Sequence, residues 1–398
     1  MPIHLVRSLY RPRALGTAAV IAALSVSAAC SGTSNTANTK PPSDGGGASS
    51  PPAVSAELEA VYKGTLASPD ATSRPAAKGK SVWVISGGQS SESSSVPVNA
   101  AVEAAKKLGW KVHIYDTQLN PANDATGVSQ AIAANADGII LDAIDCSFVK
   151  SQLEQAKAKG IVTVPIYAYD CDDAYSGKGG SKLFSAYINY GPIAAKNLGA
   201  FAEKYGFAQG QAAIAATGGK AKVIFFNDTQ VTVLHYTGAG FLRAIRGCSG
   251  CEIVKSIDFT GLQLGPQLQQ MAAAALLQHP EANVVKSPFT AATLLSIGPA
   301  VVQSGHAGNL YVMGGEGFAD ELDLLRNHQG VNAVMISPSD WTGWAAVDTM
   351  NSLFQNKAPA YSGLGWQLVD ATHNLPTSGA WVPPVDFKAI YAKAWGVS

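Results

Sequence analysis

The sequence predicts an α/β protein of two doubly wound parallel-sheet lobes, and three observations carry that expectation. Short runs that are almost continuously apolar alternate with segments of helical period, as in a parallel sheet covered on both faces. The alternation stops near Asn189 and starts afresh. With 398 residues, 47% of them hydrophobic, the chain is long enough for two cores.

The first run begins with KSVWVIS (80–86), a strand that opens into the polar, small-residue loop of Gly87 to Ser95. Val98, Ala101, Val102, Ala105 and Leu108 then recur at helical spacing. KVHIY (111–115), GIILDAI (138–144) and IVTVPIYAY (161–169) are the next strands, with helices through Val128 and Ile132 and through Val149 and Leu153 between them. The second run has a helix through Leu198 and Phe201, the strands KVIFF (222–226), EIVKSI (252–257), NVV (283–285), LYVMGG (310–315) and NAVMIS (332–337), and helices between them. A long helix near 340–355, a strand near 367–369 and a terminal helix from Asp386 complete the chain. In open α/β sheets ligands bind beyond the carboxyl ends of the strands, so the cleft between lobes is the expected site.

Before Lys80 the composition changes. Arg7, Arg11 and Arg13 precede the apolar run Ala14–Val26, too short to span a membrane, and small residues lead from Val26 into Cys30. This layout is that of a signal peptide over 1–29 followed by a lipobox cysteine, so Cys30 is the expected lipidation site; an ordinary secretory signal with an unmodified Cys30 is the alternative. Residues 31–56 are almost all Ser, Thr, Gly, Pro, Ala and Asn, which bury too little apolar surface to offset their ordering entropy. With a short leader helix at 57–66, residues 30–79 read as an anchored tether. The folded body is expected to start near Lys80.

Charge and motifs exclude several function classes. Twenty-eight basic and 28 acidic residues balance, which argues against a nucleic-acid partner, since that binding needs a basic surface. The seven histidines form no His-Glu-x-x-His, no Gly-x-Ser-x-Gly elbow occurs, and Gly238 and Gly240 lack the third glycine of a dinucleotide fingerprint. Hence no enzyme, cofactor or metal is expected. In an exported protein the four remaining cysteines read as two disulfides, Cys146 with Cys171 after consecutive strands and Cys248 with Cys251 in a tight loop. A redox-active or zinc-binding Cys-x-x-Cys is the alternative for the second pair.

Four stretches carry a resemblance: AAVEAAKKLGWKVHIYDTQLNPANDA (100–125), ANADGIILDAID (134–145), TGAGFLRAI (237–245) and NAVMISPSDWTGWAAV (332–347). Their order and spacing from Lys80 to about Gly343 resemble the periplasmic binding proteins of the ribose and xylose type, the solute receptors of ATP-binding cassette (ABC) importers. The resemblance implies a periplasmic binding protein-like I fold, monomeric, with a three-stranded hinge crossing near Ile188-Asn189, Ser337-Pro338 and Leu368-Asp370. The first lobe is then 80–188 plus 338–368, and the second 189–337 plus 369–398.

It also implies a sugar or polyol ligand and permease subunits as partners, although the ligand positions depart from the family. Ser93 and Ser94 stand where relatives have stacking aromatics, Thr237 where they have an arginine, and Ser337 where they have a glutamine. The expected ligand contacts are therefore Gln89, Ser91 and Glu92 from the first loop; Tyr167, Tyr169 and Asp170 from the fourth strand end; and Phe289, Thr290, Glu316 and Trp341 opposite. Carboxylates without an arginine favour a neutral or cationic ligand over an anion. Other readings are a ligand sensor that presents its closed form to a membrane receptor, and a receptor for an aromatic or amino compound.

Overall fold

A computed structural model describes residues 56–194 and 197–397 of the chain. The signal segment 1–29, Cys30 and the tether as far as residue 55 lie outside the described residues.

The described residues form two sheets. The first has four parallel strands in the order β2-β1-β3-β4: β1 (Ser81–Ser86), β2 (Lys111–Asp116), β3 (Gly138–Asp142) and β4 (Val162–Ile166). Every residue of β3 is buried, because α2 (Glu92–Lys107), α3 (Asp124–Ala133) and α4 (Cys146–Ala158) cover the sheet and leave its centre no solvent face. The second sheet runs β10-β9-β8-β7-β5-β6, built from β5 (Lys222–Asp228), β6 (Glu252–Phe259), β7 (Val284–Lys286), β8 (Tyr311–Met313), β9 (Ala333–Ile336) and β10 (Gln367–Asp370). Its strands pair in parallel except β10, which adds antiparallel to β9 at the edge. Around it lie α5 (Leu198–Ala216), α6 (Thr232–Gly247), α7 (Pro266–Gln278), the short α8 (Thr290–Ala292), α9 (Gly298–Gln303) and α10 (Ala319–Arg326). The long α11 (Ser339–Phe354) crosses back and packs on α2 and β4 of the first lobe.

The structure corrects the expected boundaries in three places. The body does not start at Lys80. Helix α1 (Ala56–Lys63) packs on β10 and α5, where the Tyr62 hydroxyl donates to Asp370 at 2.5 Å and the Tyr62 ring stacks on His373. Residues 64–79 then run as a strap along the hinge, with Thr65 N–H donating to Trp366 O, Ala67 N–H to Gly363 O and Asp70 N–H to Tyr361 O. The approach at Gly363 is so close that a Cβ there would lie 2.1 Å from Ala67 O, and its φ of +74° favours glycine independently. Beyond the hinge, Arg74 forms a buried ion pair with Asp348 of α11 at 2.6 Å and donates to the carbonyls of Asp70 and Thr72. Asn351 brackets the same strap by accepting from Ala77 N–H and donating to Arg74 O.

The second correction concerns the C-terminus. Although 369–398 was expected in the second lobe, α12 (Phe387–Trp395) packs on α11, with Phe387 stacked on Trp341 and Trp395 on Trp344. Apolar burial explains the docking: Phe387, Tyr391 and Trp395 lie on one face of α12 and are each at most 4% exposed. Third, β10 is already paired in the second sheet at Gln367, so that crossing precedes it and is tied by the Asn189–Tyr361 bridge. Among the described residues the chain therefore passes between lobes at 64–73, near 188–190, at 337–338, 355–366 and 371–386, adding the strap and the C-terminal return to the three expected passes.

Candidate functional site in the interlobe cleft

The carboxyl ends of both sets of parallel strands face a cavity of about 210 Å³. The first lobe supplies loops. After β1 come Gly87, Ser91, Ser93 and Ser94, after β2 Thr117, Leu119, Asn120, Pro121 and Asp124, after β3 Ala143, Ile144 and Phe148, and after β4 Tyr167 and Tyr169. Three of these have a left-handed backbone although none is glycine: Leu119 (φ 56°), Ala143 (φ 54°) and Tyr167 (φ 52°). Such a conformation costs on the order of 1–2 kcal/mol per residue and persists where the surroundings over-determine it, commonly at binding sites. Tyr167 is held by hydrogen bonds between its hydroxyl and those of Ser339 (3.1 Å) and Thr342 (3.3 Å), donating its one proton to either.

The second lobe supplies helix faces. Leu198, Phe201, Ala202 and Tyr205 recur along α5 at i, i+3, i+4 and i+7, so one stripe of that helix is cavity wall. Behind it Phe201 packs on Tyr190 and on Trp366 of the hinge, and the Tyr205 hydroxyl donates to Met335 O at 2.5 Å. Asp228 at the end of β5, Gln230, Val231, Val233, Leu234 and Thr237 follow, with Leu264, Pro288, Phe289, Glu316 and Ser337 completing the wall.

Electrostatically the cavity is one-sided. Asp124, Asp228 and Glu316 are the charged side chains of its wall, and no arginine, lysine or histidine lines it among the described residues. Burial pushes Asp124 up to about 7 and Asp228 to about 6, and raises Glu316. Beneath the floor Asp142 is pushed to about 7 by its complete burial. Lys286, buried at the end of β7 and donating to Ser287 O, is pushed down to about 8 by desolvation against the pull of Glu316 and Glu321.

Across the mouth the lobes touch. Asp145, the N-cap residue of α4, accepts from the backbone N–H and hydroxyl of Thr232 on α6, and its other oxygen accepts from Tyr169 N–H at 2.7 Å. Tyr236 donates its hydroxyl to Asp173 at 2.8 Å, and Tyr175 stacks on His235 at 3.5 Å. Asp173 and Tyr175 belong to the loop 170–187, which the Cys146–Cys171 disulfide ties to the start of α4 with 5.1 Å between α-carbons. Cys248 and Cys251 are bridged within the α6–β6 turn, far along the chain from any wall residue of that lobe's strand ends.

Of the ten residues expected at the ligand, the structure places Ser91, Tyr167, Tyr169, Phe289 and Glu316 in the wall. The other five lie elsewhere. Trp341 is fully buried, stacked on Phe387, and donates its indole N–H towards Tyr391, so it is core beneath the hinge. Asp170 spends its carboxylate on the N–H groups of Cys171, Leu183 and Phe184 and holds the loop 170–187 in shape. Gln89 donates to Ser86 Oγ and stays within its own turn. Thr290 is buried behind the wall, donating its N–H to Glu316 and its hydroxyl to Glu321, both at 2.6 Å, and so orients Glu316. Glu92 starts α2 outside the wall, where desolvation and the neighbouring Asp320, Glu316 and Glu321 raise its carboxyl.

A cavity that neither lobe encloses alone, set above the strands that join them, defines a bilobal receptor for a small solute. The chain belongs to the periplasmic binding protein family, whose domain model matches residues 84–358. It is a family of exported solute-binding proteins, not enzymes, and no described helix is long and apolar enough to cross a membrane. No curated protein matches the sequence. Among solved structures, a solute-binding protein from Burkholderia graminis in complex with D-arabinose is 20% identical, with 76% of this chain and 99% of that one covered at a TM-score of 0.61. One from Agrobacterium vitis bound with α-D-tagatopyranose is 16% identical, covering 74% and 95% at 0.63. A 5-methylthioribose-binding protein from Thermotoga lettingae is 16% identical, covering 82% and 100% at 0.62.

Proposed function

We propose that the protein captures an uncharged, hydroxyl-bearing solute of sugar or polyol type between its lobes and presents the closed form to the permease of an ABC importer. Acyl chains on Cys30 hold it to the outer face of the cell membrane, and it acts as a monomer. One observation carries the reading: both lobes contribute to a cavity whose charged groups are carboxyls, with no basic partner in the wall among the described residues. Carboxyl groups accept hydrogen bonds from hydroxyls, whereas an anionic ligand meets uncompensated negative charge there. The sugars bound by the similar proteins from Burkholderia graminis, Agrobacterium vitis and Thermotoga lettingae support the ligand class.

Thermal-shift and calorimetric titration across free sugars, polyols, amino acids and aromatic acids tests the reading. A neutral hydroxylated compound is expected to raise the unfolding midpoint in proportion to RT ln(1 + [L]/Kd) and to shrink the radius of gyration in solution scattering. Tight binding of a carboxylate, with no response to any hydroxylated compound, overturns it.

A further inference from the structure

We infer that the solute is amphipathic: a hydroxylated head joined to an apolar body of several carbons, an alkyl or aryl glycoside rather than a free sugar. The inference rests on the reading of the cleft as a site for a hydroxylated solute and concerns what else that solute must carry.

The wall is divided by chemistry. Its hydroxyl side is the loop carrying Ser91, Ser93 and Ser94, with Thr117 and Asn120 from the next loop and Glu316 from the other lobe. Tyr169 of the wall adds a further polar group, since it is 1% exposed and its hydroxyl has no protein partner among the described residues. A buried hydroxyl left unpaired costs about 1–3 kcal/mol, and a ligand group that bonds to it recovers that energy.

The apolar part of the wall comes from both lobes: Leu119, Ile144 and Phe148 of the first, and the α5 stripe with Leu234, Leu264 and Phe289 of the second, where Asp228, Gln230 and Thr237 are polar neighbours. Tyr205 of that stripe has turned its hydroxyl away to Met335 O. A free sugar presents hydroxyls around most of its ring. One C–H face of the ring can lie on Phe201 or Phe289, but hydroxyls turned towards Leu198, Leu234 and Leu264 lose hydration without recovering hydrogen bonds, whereas an alkyl or aryl group gains about 25 cal/mol for each Å² it buries.

The test uses the full-length chain and two matched series, glucose and arabinose, each as the free sugar and as its methyl, butyl, hexyl and phenyl glycosides below their micelle concentrations. The uncharged dye Nile red serves as a purely apolar probe. Affinity is expected to rise about fourfold per methylene while the chain stays within the cavity, which is the equilibrium form of about 0.8 kcal/mol per buried CH2. In the Leu264→Ser variant the gain along the series shrinks, and an unaltered unfolding midpoint shows that the half-buried position tolerates the change. If free sugars bind and extension leaves affinity flat or weakens it, the inference falls and the sugar reading stands. If Nile red is taken up and displaced by apolar compounds but no sugar or glycoside binds, the hydroxylated head is wrong and the apolar half stands. If nothing binds, both are overturned.

Discussion

The two walls of the cleft are made differently. The first lobe reaches the cavity with loops, whose exposed backbone and tight turns favour Ser, Thr, Asn and Gly, and it is therefore the hydrogen-bonding side. The second adds helix surface to its strand-end loops, above all the apolar α5 stripe, which has no counterpart in the first lobe's wall. The lobes also differ in how they are secured. The first is stapled by a disulfide next to the cleft and pinned by the strap and α12 through α11; the second carries its disulfide in a peripheral turn and is extended by β10 and α1. The hydroxyl-rich loop and the disulfide beside the cleft thus lie on one side, and the apolar helix stripe on the other.

The largest expected effect comes from breaking the strap. Arg74→Ala leaves Asp348 buried with one remaining donor, the Trp395 indole, and uncovering a buried charge in this way costs about 3–5 kcal/mol. Denaturant unfolding is expected to show that loss, and a chain starting at Lys80 should be less stable still. A loss below about 1 kcal/mol would return the leader to the role of a tether. Next comes the contrast of disulfides. Replacing Cys146 and Cys171, 25 positions apart, by serine opens a closed loop and is expected to cost about 2–4 kcal/mol, whereas the Cys248/Cys251 pair, three positions apart, constrains the unfolded chain little. Equal losses from the two double variants would erase the difference between the lobes.

The architecture was largely legible in the sequence, because strands such as Gly138–Asp142 are short continuous apolar runs and the helices between them keep a helical period. The wall was legible on the side made of loops. Ser91, Tyr167, Tyr169 and Glu316 follow strand ends, where the topology itself points to a ligand. The α5 wall was not, since Leu198, Phe201 and Tyr205 have the spacing of a helix face packed in a core, and nothing local distinguishes an apolar face on a cavity from one on a neighbour. Asp124 and Asp228 had a signal that went unused, each standing at the end of a strand or the start of a helix on the cleft side. The strap was missed for another reason. Its flanking prolines and glycines read as linker, while what orders it is a long-range ion pair and backbone bonds to the hinge.

The contact across the mouth tests whether the two walls act together. Thr232→Val removes the hydroxyl that donates to Asp145 and leaves a buried carboxylate one partner short, an interaction worth about 1.5–3 kcal/mol when the acceptor is charged. Because that bond forms only when the lobes meet, affinity for ligand is expected to fall by roughly one to two orders of magnitude, while unfolding of the separate lobes is little changed. Solution scattering should show a more open average shape. If affinity is unaffected, closure is governed by the walls and not by the rim.

The smallest effect is the share of Asp145 in the response to pH. Burial pushes its carboxyl up to about 6 in the folded protein, against 3.8 ordinarily, so between those values the folded chain holds a proton that the unfolded chain has released. Stability from this group is therefore highest below about pH 4, falls as pH rises towards 6, and levels off once both states are ionised. Asp228 titrates in the same range, and Asp124 and Asp142 extend the fall towards 7, so the whole protein is expected to unfold at a higher temperature at pH 5 than at pH 7.5. Asp145→Asn isolates one term. Between pH 5 and 6 the variant should lose about 1 kcal/mol less than the native protein, because a full proton difference is worth about 1.4 kcal/mol per pH unit and this one is partial. Parallel stability curves for the two proteins would mean that closure does not desolvate Asp145, and the rim contact would then be open to water.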